Sequence, residues 1–382
     1  MDSFISVSLG KCTDYDEEKV YEALSDTVAR LGGMGRFIKP GMTVALKPNL
    51  LLPQSPDNCA TTHPAVVAAA GRLVLEAGGK PVVVESPGGL YNKIVLMTLY
   101  KLCGISDVCE KHGIALNYDT AVTRVTADCL GRTRSFNVLK PLVDADFIIN
   151  ISKMKTHGMM VFTGAVKNMF GAIAGAEKAS YHMNMPDYMA FASNLIDICE
   201  TVRPGLSIMD GIDAMEGNGP SAGRPRRIGA LLVSESPYAL DKAAHDIINL
   251  DANDSYILIE AIRRGINLVY EVLGTPVEEL FCGDFDIPFR ISSGKIKRNL
   301  LNSRFLTKYK SKPVVNREMC IGCGICRDNC PAEVIEIIDG KPCFDYTGCI
   351  RCYCCQELCP EHAIRIRDPF LVKLLSQKRT GR

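Results

Sequence analysis

Short apolar runs alternate with stretches of helical periodicity from the start of the chain to about residue 250. Residues 5–9, 43–46, 81–85, 147–151, 206–210 and 228–234 are rich in Val, Ile and Leu, and their lengths suit buried strands. Between them, Asp16 is followed by Val20, Leu24, Val28 and Leu31, a spacing that gathers apolar side chains on one helical face. The same reasoning predicts helices over 16–31, 64–77, 91–103, 187–201 and 238–250. Alternation of this kind implies βαβ units, hence an α/β class fold: a mostly parallel sheet with helices on both faces. Residues 113–140 break the rhythm. Three short β-type runs there, 114–117, 122–127 and 135–139, predict a small β insertion.

Beyond residue 288 the pattern changes. From Phe289 to Arg317 there are nine Lys or Arg residues and no Asp or Glu. Residues 289–312 therefore read as a basic linker, either a solvated face or a segment steered to an acidic electron-transfer partner, a membrane surface or a nucleic acid. Residues 313–368 form a separate small module, and 369–382 a basic tail. The α/β domain accordingly occupies residues 1–288. A chain of 382 residues suffices for one large domain plus a small one.

The small module carries one cysteine spacing twice. Cys320-x2-Cys323-x2-Cys326-x3-Cys330-Pro331 recurs as Cys349-x2-Cys352-x2-Cys355-x3-Cys359-Pro360. Apolar positions repeat at the same offset: Ile321 with Ile350, Ile335 with Ile364, Ile337 with Ile366. This is the ligand run of bacterial ferredoxins, in which the fourth cysteine of each run serves the other cluster. It predicts an α+β ferredoxin-type domain with two [4Fe–4S] clusters. One would be held by Cys320, Cys323, Cys326 and Cys359, the other by Cys349, Cys352, Cys355 and Cys330. Zinc sites or disulfides are the competing reading, disfavoured because zinc knuckles seldom place four cysteines in one run ending in Cys-Pro. Cys343 and Cys354 fall outside the repeat.

Charge narrows the partners. Forty-four Lys and Arg against 43 Asp and Glu leave a net charge of +1, with no global bias towards nucleic acid. No apolar run approaches the ~20 residues that span a bilayer. The first residues, MDSFISVSLGKCTDYDEE, lack a basic segment followed by a long apolar one, so no signal peptide is expected. Seven cysteines upstream of residue 320 show no motif spacing, which suits a reducing cytoplasm.

Chemistry in α/β sheets gathers outside the carboxyl ends of the strands. Lys47 and Asn49 follow the strand 43–46, Glu85 ends the next, and Lys153, Lys155 and His157 follow 147–151. Thr163, Lys167 and Asn168 come shortly after, and Thr163-Gly164 reads as a helix start whose free N–H groups favour an anion. His63 stands where another helix begins. These residues predict a pocket for a phosphate or carboxylate ligand; lysines snorkelling to solvent are the bland alternative. Asp210, Asp213 and Glu216 lie in a glycine-rich stretch, where carboxylates bind a divalent cation, serve as general acid or base, or simply form turns. Asp241 and His245 stand one helical turn apart. His157, Glu216 and Asp210 are the candidates for proton transfer. There is no strand-linked GxGxxG, no Walker A loop, no HExxH and no GxSxG, which excludes the usual nicotinamide, P-loop, zincin and hydrolase signatures. A flavin has no signature either, although a one-electron donor working on a two-electron substrate calls for such a stage.

Several of these motifs occur together in a known pattern. Lys47-Pro48-Asn49-Leu50, Thr62-His63-Pro64, and Asp144-x-Asp146 leading to Asn150, Lys153, Lys155 and His157 form the first part. Thr163-Gly164 with Lys167-Asn168 and Gly171, then Asp210-Gly211 with Gly217-x-Gly219-Pro220, form the second. Over residues 40–250 the chain resembles the domain-of-unknown-function 362 family, often joined to a ferredoxin module, which here covers 313–368. The resemblance implies an iron–sulfur protein of anaerobic-type metabolism and supplies no catalytic residue. The expectation is a cytoplasmic oxidoreductase passing electrons between its clusters and an anionic small molecule, with a redox partner protein and room for a homo-oligomer. An electron carrier that docks a partner enzyme, or a ligand-binding redox sensor, is the alternative.

Overall fold

A computed structural model of the protein describes residues 5–127, 135–288 and 311–367. Most of the expected basic linker and the basic tail lie outside the described residues. The strands of the larger part are β1 (Ile5–Lys11), β2 (Thr43–Lys47), β3 (Lys80–Val83), β4 (Ala115–Leu116), β5 (Val122–Thr126), β6 (Ser135–Leu139), β7 (Phe147–His157), β8 (Val161–Thr163), β9 (Leu206–Glu216), β10 (Arg224–Ser234) and β11 (Tyr270–Gly274). Nine of them form one sheet in the order β11-β1-β10-β9-β7-β2-β3-β4, with β8 paired to β7. The run from β9 through β7, β2 and β3 to β4 is parallel. β10 is antiparallel to both β1 and β9. The sheet is therefore mixed but mostly parallel, and the fold class is the α/β one expected.

Alternation along the strands sends side chains to opposite faces. Val44, Leu46, Ile149, Ile151, Leu231 and Val233 join one core, covered by helices Glu17–Ala29, Pro64–Glu76 and Lys93–Leu102. Ala45 and Ile148 pack beneath Tyr188–Val202, and Leu9, Met209 and Leu232 beneath Pro237–Ile247, on the other face.

Two expectations shift. The run at 114–117 is not part of an insertion: β4 extends the main sheet, parallel to β3. β5 and β6 alone make the separate antiparallel hairpin. The second shift concerns length. β7 and β9 run six residues past their predicted ends, to His157 and Glu216. Polar residues at 152–157 conceal this in sequence, because Ser152, Lys153, Lys155, Thr156 and His157 are all buried.

The C-terminal module pairs β12 (Lys312–Val315) with β15 (Ile364–Arg367) and β13 (Ile335–Ile338) with β14 (Lys341–Phe344). Short helices at Ile325–Asp328 and Cys354–Glu357 carry the central cysteines of each run. The module is seated on the larger part by specific contacts. Gln356 Nε2 donates to the Asn218 carbonyl (2.9 Å), Ser221 Oγ to the Gln356 carbonyl (3.2 Å) and Tyr188 OH to the Arg351 carbonyl (3.2 Å). A side chain at Gly158 would collide with Ile366, so its absence permits this approach. Ile366, the repeat counterpart of Ile337, packs on the α/β domain.

Candidate functional site

The strand ends build two adjoining polar clusters rather than one pocket. In the first, Lys47 at the end of β2 is buried with Glu85, at 3.0 Å. Glu85 also accepts from the Leu50 and Ser86 backbone N–H groups, both at 2.8 Å. Lys47 donates further to the Pro48 carbonyl (2.8 Å) and to Asn168 Oδ1 (3.2 Å). Asn49 Nδ2 donates to the same Asn168 oxygen (2.8 Å), and Asn168 Nδ2 donates to Asn150 Oδ1 (2.7 Å). Burial pushes the Lys47 ammonium below its ordinary range, and Glu85 opposes the shift.

The second cluster is centred on Asp210, at the end of the first half of β9. Lys153 lies opposite it in the β7–β9 ladder and donates to its carboxylate at 2.8 Å. Tyr15 OH donates to Asp210 Oδ1 (2.8 Å) and accepts from Lys153 (2.8 Å). The His63 ring stacks on Tyr15 with centroids 3.7 Å apart, and its Nδ1 caps the helix Pro64–Glu76 by accepting from Ala65 N. Burial lowers the His63 imidazole to about 4. Lys155 lies between the clusters, donating to Asn49 Oδ1 (2.7 Å) and the Ala60 carbonyl, and burial lowers it to about 7.

A cavity of about 530 Å³ opens on the first cluster. Of the residues expected to bind an anion, Lys47, Asn49, Glu85, Lys167 and Asn168 line it. Lys153, Lys155, His63 and Thr163 do not; Lys153 is engaged by Asp210 and Tyr15, Lys155 by Asn49 and the Ala60 carbonyl, His63 by Ala65 N, and Thr163 sits in the β7–β8 ladder. The proton-transfer candidates are elsewhere too. Asp210 belongs to the Lys153 cluster. Glu216 pairs with Arg224 (2.7 Å) and accepts from Asp286 N (2.9 Å). His157 Nδ1 accepts from the backbone N–H groups of Met159 and Met160, with Nε2 3.7 Å from Glu357.

The expected anion site at Thr163-Gly164 is already filled from within. The Asp241 carboxylate accepts from Ala165 N (2.5 Å) and Val166 N (3.2 Å), at the start of the helix Ala165–Asn168. Burial raises this carboxyl to about 7 even so. His245 turns Nδ1 to the Asp241 carbonyl at 2.6 Å, which is local helix chemistry.

Sequence reasoning missed Lys178 and His182. Both come from the helix Gly175–Asn184 and both line the cavity. Lys178 donates to the Ser86 (2.5 Å) and Pro87 (3.1 Å) carbonyls, and burial lowers its ammonium to about 7. His182 stacks on Phe191 at 4.3 Å, and burial with Lys167 nearby lowers it to about 3. Their i, i+4 spacing was the available signal, on a segment with no strong apolar face.

The far wall of this cavity is the C-terminal module. Ile325, Asp328, Asn329, Cys330, Cys354 and Glu357 all line it. Two smaller cavities lie within the module. One gathers Cys320, Cys323, Cys326 and Cys359; the other gathers Cys330, Cys349, Cys352 and Cys355. No other cysteine lines either. Four thiols around an apolar-walled space are a donor set suited to an iron–sulfur cluster, and the interchange of Cys330 and Cys359 between runs is the one the spacing implies.

An α/β sheet with a strand-end cavity closed by a cysteine-rich module defines an iron–sulfur protein with a ligand-sized site. The family described as "Domain of unknown function (DUF362)" matches residues 44–246, and the 4Fe-4S binding domain matches 313–336. The chain is 36% identical over 295 residues to the thylakoid-associated protein sll1697 of Synechocystis sp., covering 74% of this chain and 88% of that one. The chain belongs to the DUF362 family. Among solved structures it is similar to the lactate racemase apoprotein from Thermoanaerobacterium thermosaccharolyticum, at TM-score 0.38 and 12% identity over 62% of this chain and 55% of that one. A structural-genomics protein from Thermotoga maritima gives TM-score 0.37 and 20% identity over 63% and 60%. The chain thus spans less than two thirds of either structure. Among the described residues, no helix is long and apolar enough to cross a membrane.

Proposed function

We propose that the protein is an oxidoreductase that exchanges electrons with an anionic small molecule bound between its two domains. The observation that carries this reading is the shared cavity: Lys47, Lys167 and Lys178 line it from the α/β side and Cys330 from the other. The two cysteine quartets would hold two [4Fe–4S] clusters, which supply single electrons when bound. Cys323 and Ile321, at the quartet away from the cavity, are exposed and offer a face to a redox partner protein. Electrons entering there reach the ligand through the module, without crossing the α/β core.

The test uses anaerobically purified full-length protein. Iron and acid-labile sulfide should each come to about eight per chain. Binding of an anion in the cavity should shift the electron paramagnetic resonance signal of one reduced cluster and leave the other unchanged, and Lys167→Gln should abolish the shift. Absence of iron, or an anion that binds without perturbing either cluster, would sink the proposal. A carrier that docks a partner enzyme is the second reading, favoured by the exposed Leu90 at the cavity and the exposed Ile94 and Met97 on the helix Lys93–Leu102. That reading expects turnover only with a partner present and no anion effect on either cluster.

A further inference from the structure

The walls of the cavity define its ligand more narrowly than "anion", provided that the reading above holds. Charge comes first. Three lysines and three acids, Glu85, Asp328 and Glu357, share the lining. Lys47 is committed to Glu85. Lys178 is committed to backbone carbonyls. Only the Lys167 ammonium, among the cavity's lysines, has neither a hydrogen bond nor an ion pair among the described residues; it lies 6.0 Å from the centroid of the Phe170 ring. Asp328 and Glu357 belong to the module wall. They repel a negatively charged group there and favour the α/β wall, where the lysines lie, as its place.

His182 adds a second polar contact. It is 5% exposed, and its buried Nδ1 has no hydrogen-bond partner among the described residues. A buried polar atom left without a partner costs free energy that a bound ligand can recover. With its imidazole held neutral, His182 can donate or accept a hydrogen bond without adding charge.

Size and surface complete the description. A space of about 530 Å³ is that of a small-molecule site, far larger than a carboxylate or phosphate group requires. Much of the remaining wall is hydrocarbon: Leu50, Leu51, Leu90, Phe170, Ile325 and Leu358. Leu90 is 73% exposed and Ile325 37% exposed, apolar surface that a ligand would cover.

We infer that the ligand is a monoanion with an apolar body, a carboxylic acid by class, whose carboxylate meets Lys167 and His182 while its body lies against Leu90, Phe170 and Ile325. Polyanions are disfavoured because one uncommitted ammonium faces two acids on the opposite wall.

Calorimetric titration of the anaerobically purified full-length holoprotein tests this with five probes: acetate, trans-cinnamate, cinnamyl alcohol, inorganic phosphate and pyrophosphate. Cinnamate should bind at least tenfold more tightly than each of the others. Lys167→Gln should weaken cinnamate at least tenfold with iron content unchanged, which also reports that the variant folds. Leu90→Ser, at an exposed position, should narrow the gap between cinnamate and acetate. Tighter binding of phosphate or pyrophosphate, still dependent on Lys167, would overturn the ligand class and leave the anion site standing. Equal binding of cinnamyl alcohol would overturn the role of charge. Failure of every probe, or a silent Lys167→Gln, would overturn this inference and the anion-binding reading together.

Discussion

Lys167 and Cys330 line the same cavity, although they belong to different domains. One is the cavity's uncommitted cation; the other is the last cysteine of its run, and its thiol belongs to the quartet nearer the α/β domain. On the reading proposed above, their common wall is where an electron-transfer module would meet its ligand.

The Lys47–Glu85 pair should be a principal support of that wall. Both side chains are almost fully buried, and Glu85 also holds the Leu50 and Ser86 backbone. Glu85→Gln would leave Lys47 charged and unpaired in the interior, at a cost of about 3–5 kcal/mol. Denaturant unfolding should show this, and a midpoint close to that of the parent protein would refute it.

Cys354 and Cys330 both touch the cavity, yet only Cys330 stands in a quartet. Cys354→Ala should therefore retain the full iron content. Cys330→Ala should lose up to half of it, by removing one ligand of one cluster. Iron and sulfide analysis of anaerobic preparations distinguishes the two. Iron loss in Cys354→Ala would reassign the ligands.

Lys178 titrates near neutrality because burial lowers it to about 7. Below that pH its ammonium assists an anion in the cavity; above it the charge is lost. Anion affinity should fall as pH rises from about 7 to 9, by up to about tenfold per unit. Lys178→Met should flatten the profile, whereas Lys155→Met should not, since Lys155 is also lowered to about 7 but lies outside the cavity.

Three buried histidines set an acid limit. His63, His182 and His245 are lowered from 6.5 to about 4, 3 and 4. Between about pH 6.5 and 4 the unfolded chain binds protons that the folded protein refuses. Stability from these groups is therefore present above 6.5 and lost as pH falls, each contributing a slope of up to about 1.4 kcal/mol per unit. His182→Phe, which preserves stacking on Phe191, should remove one such slope. An unchanged acid-unfolding profile would exclude His182 as a contributor.

Much of this was legible from residue pattern alone. The strand–helix rhythm exposed the sheet because its buried strands are apolar through their first halves. The cysteine spacing exposed both quartets, including the interchange of Cys330 and Cys359, because short loops leave thiols few places to go. Of the residues that strand-end chemistry pointed to, Lys47, Asn49, Glu85, Lys167 and Asn168 line one cavity. The same reasoning erred at Lys153 and Asp210, which neutralise each other, since spacing along one strand says nothing of what faces it from the next. It also placed an anion at Thr163-Gly164, where Asp241, from a distant helix, already sits. Lys178 and His182 were invisible because their helix follows the strand ends in sequence and returns to them only in space.

Asn218 holds the cysteine-rich module against the sheet, and Gly158 leaves room for it. That attachment makes the module a wall of the cavity. If the proposed function holds, a chain cut before residue 313 would lose its binding site along with its current, even for a ligand that is never reduced. Selectivity and electron delivery are then inherited together, and a substitution at the seam between the domains alters both at once.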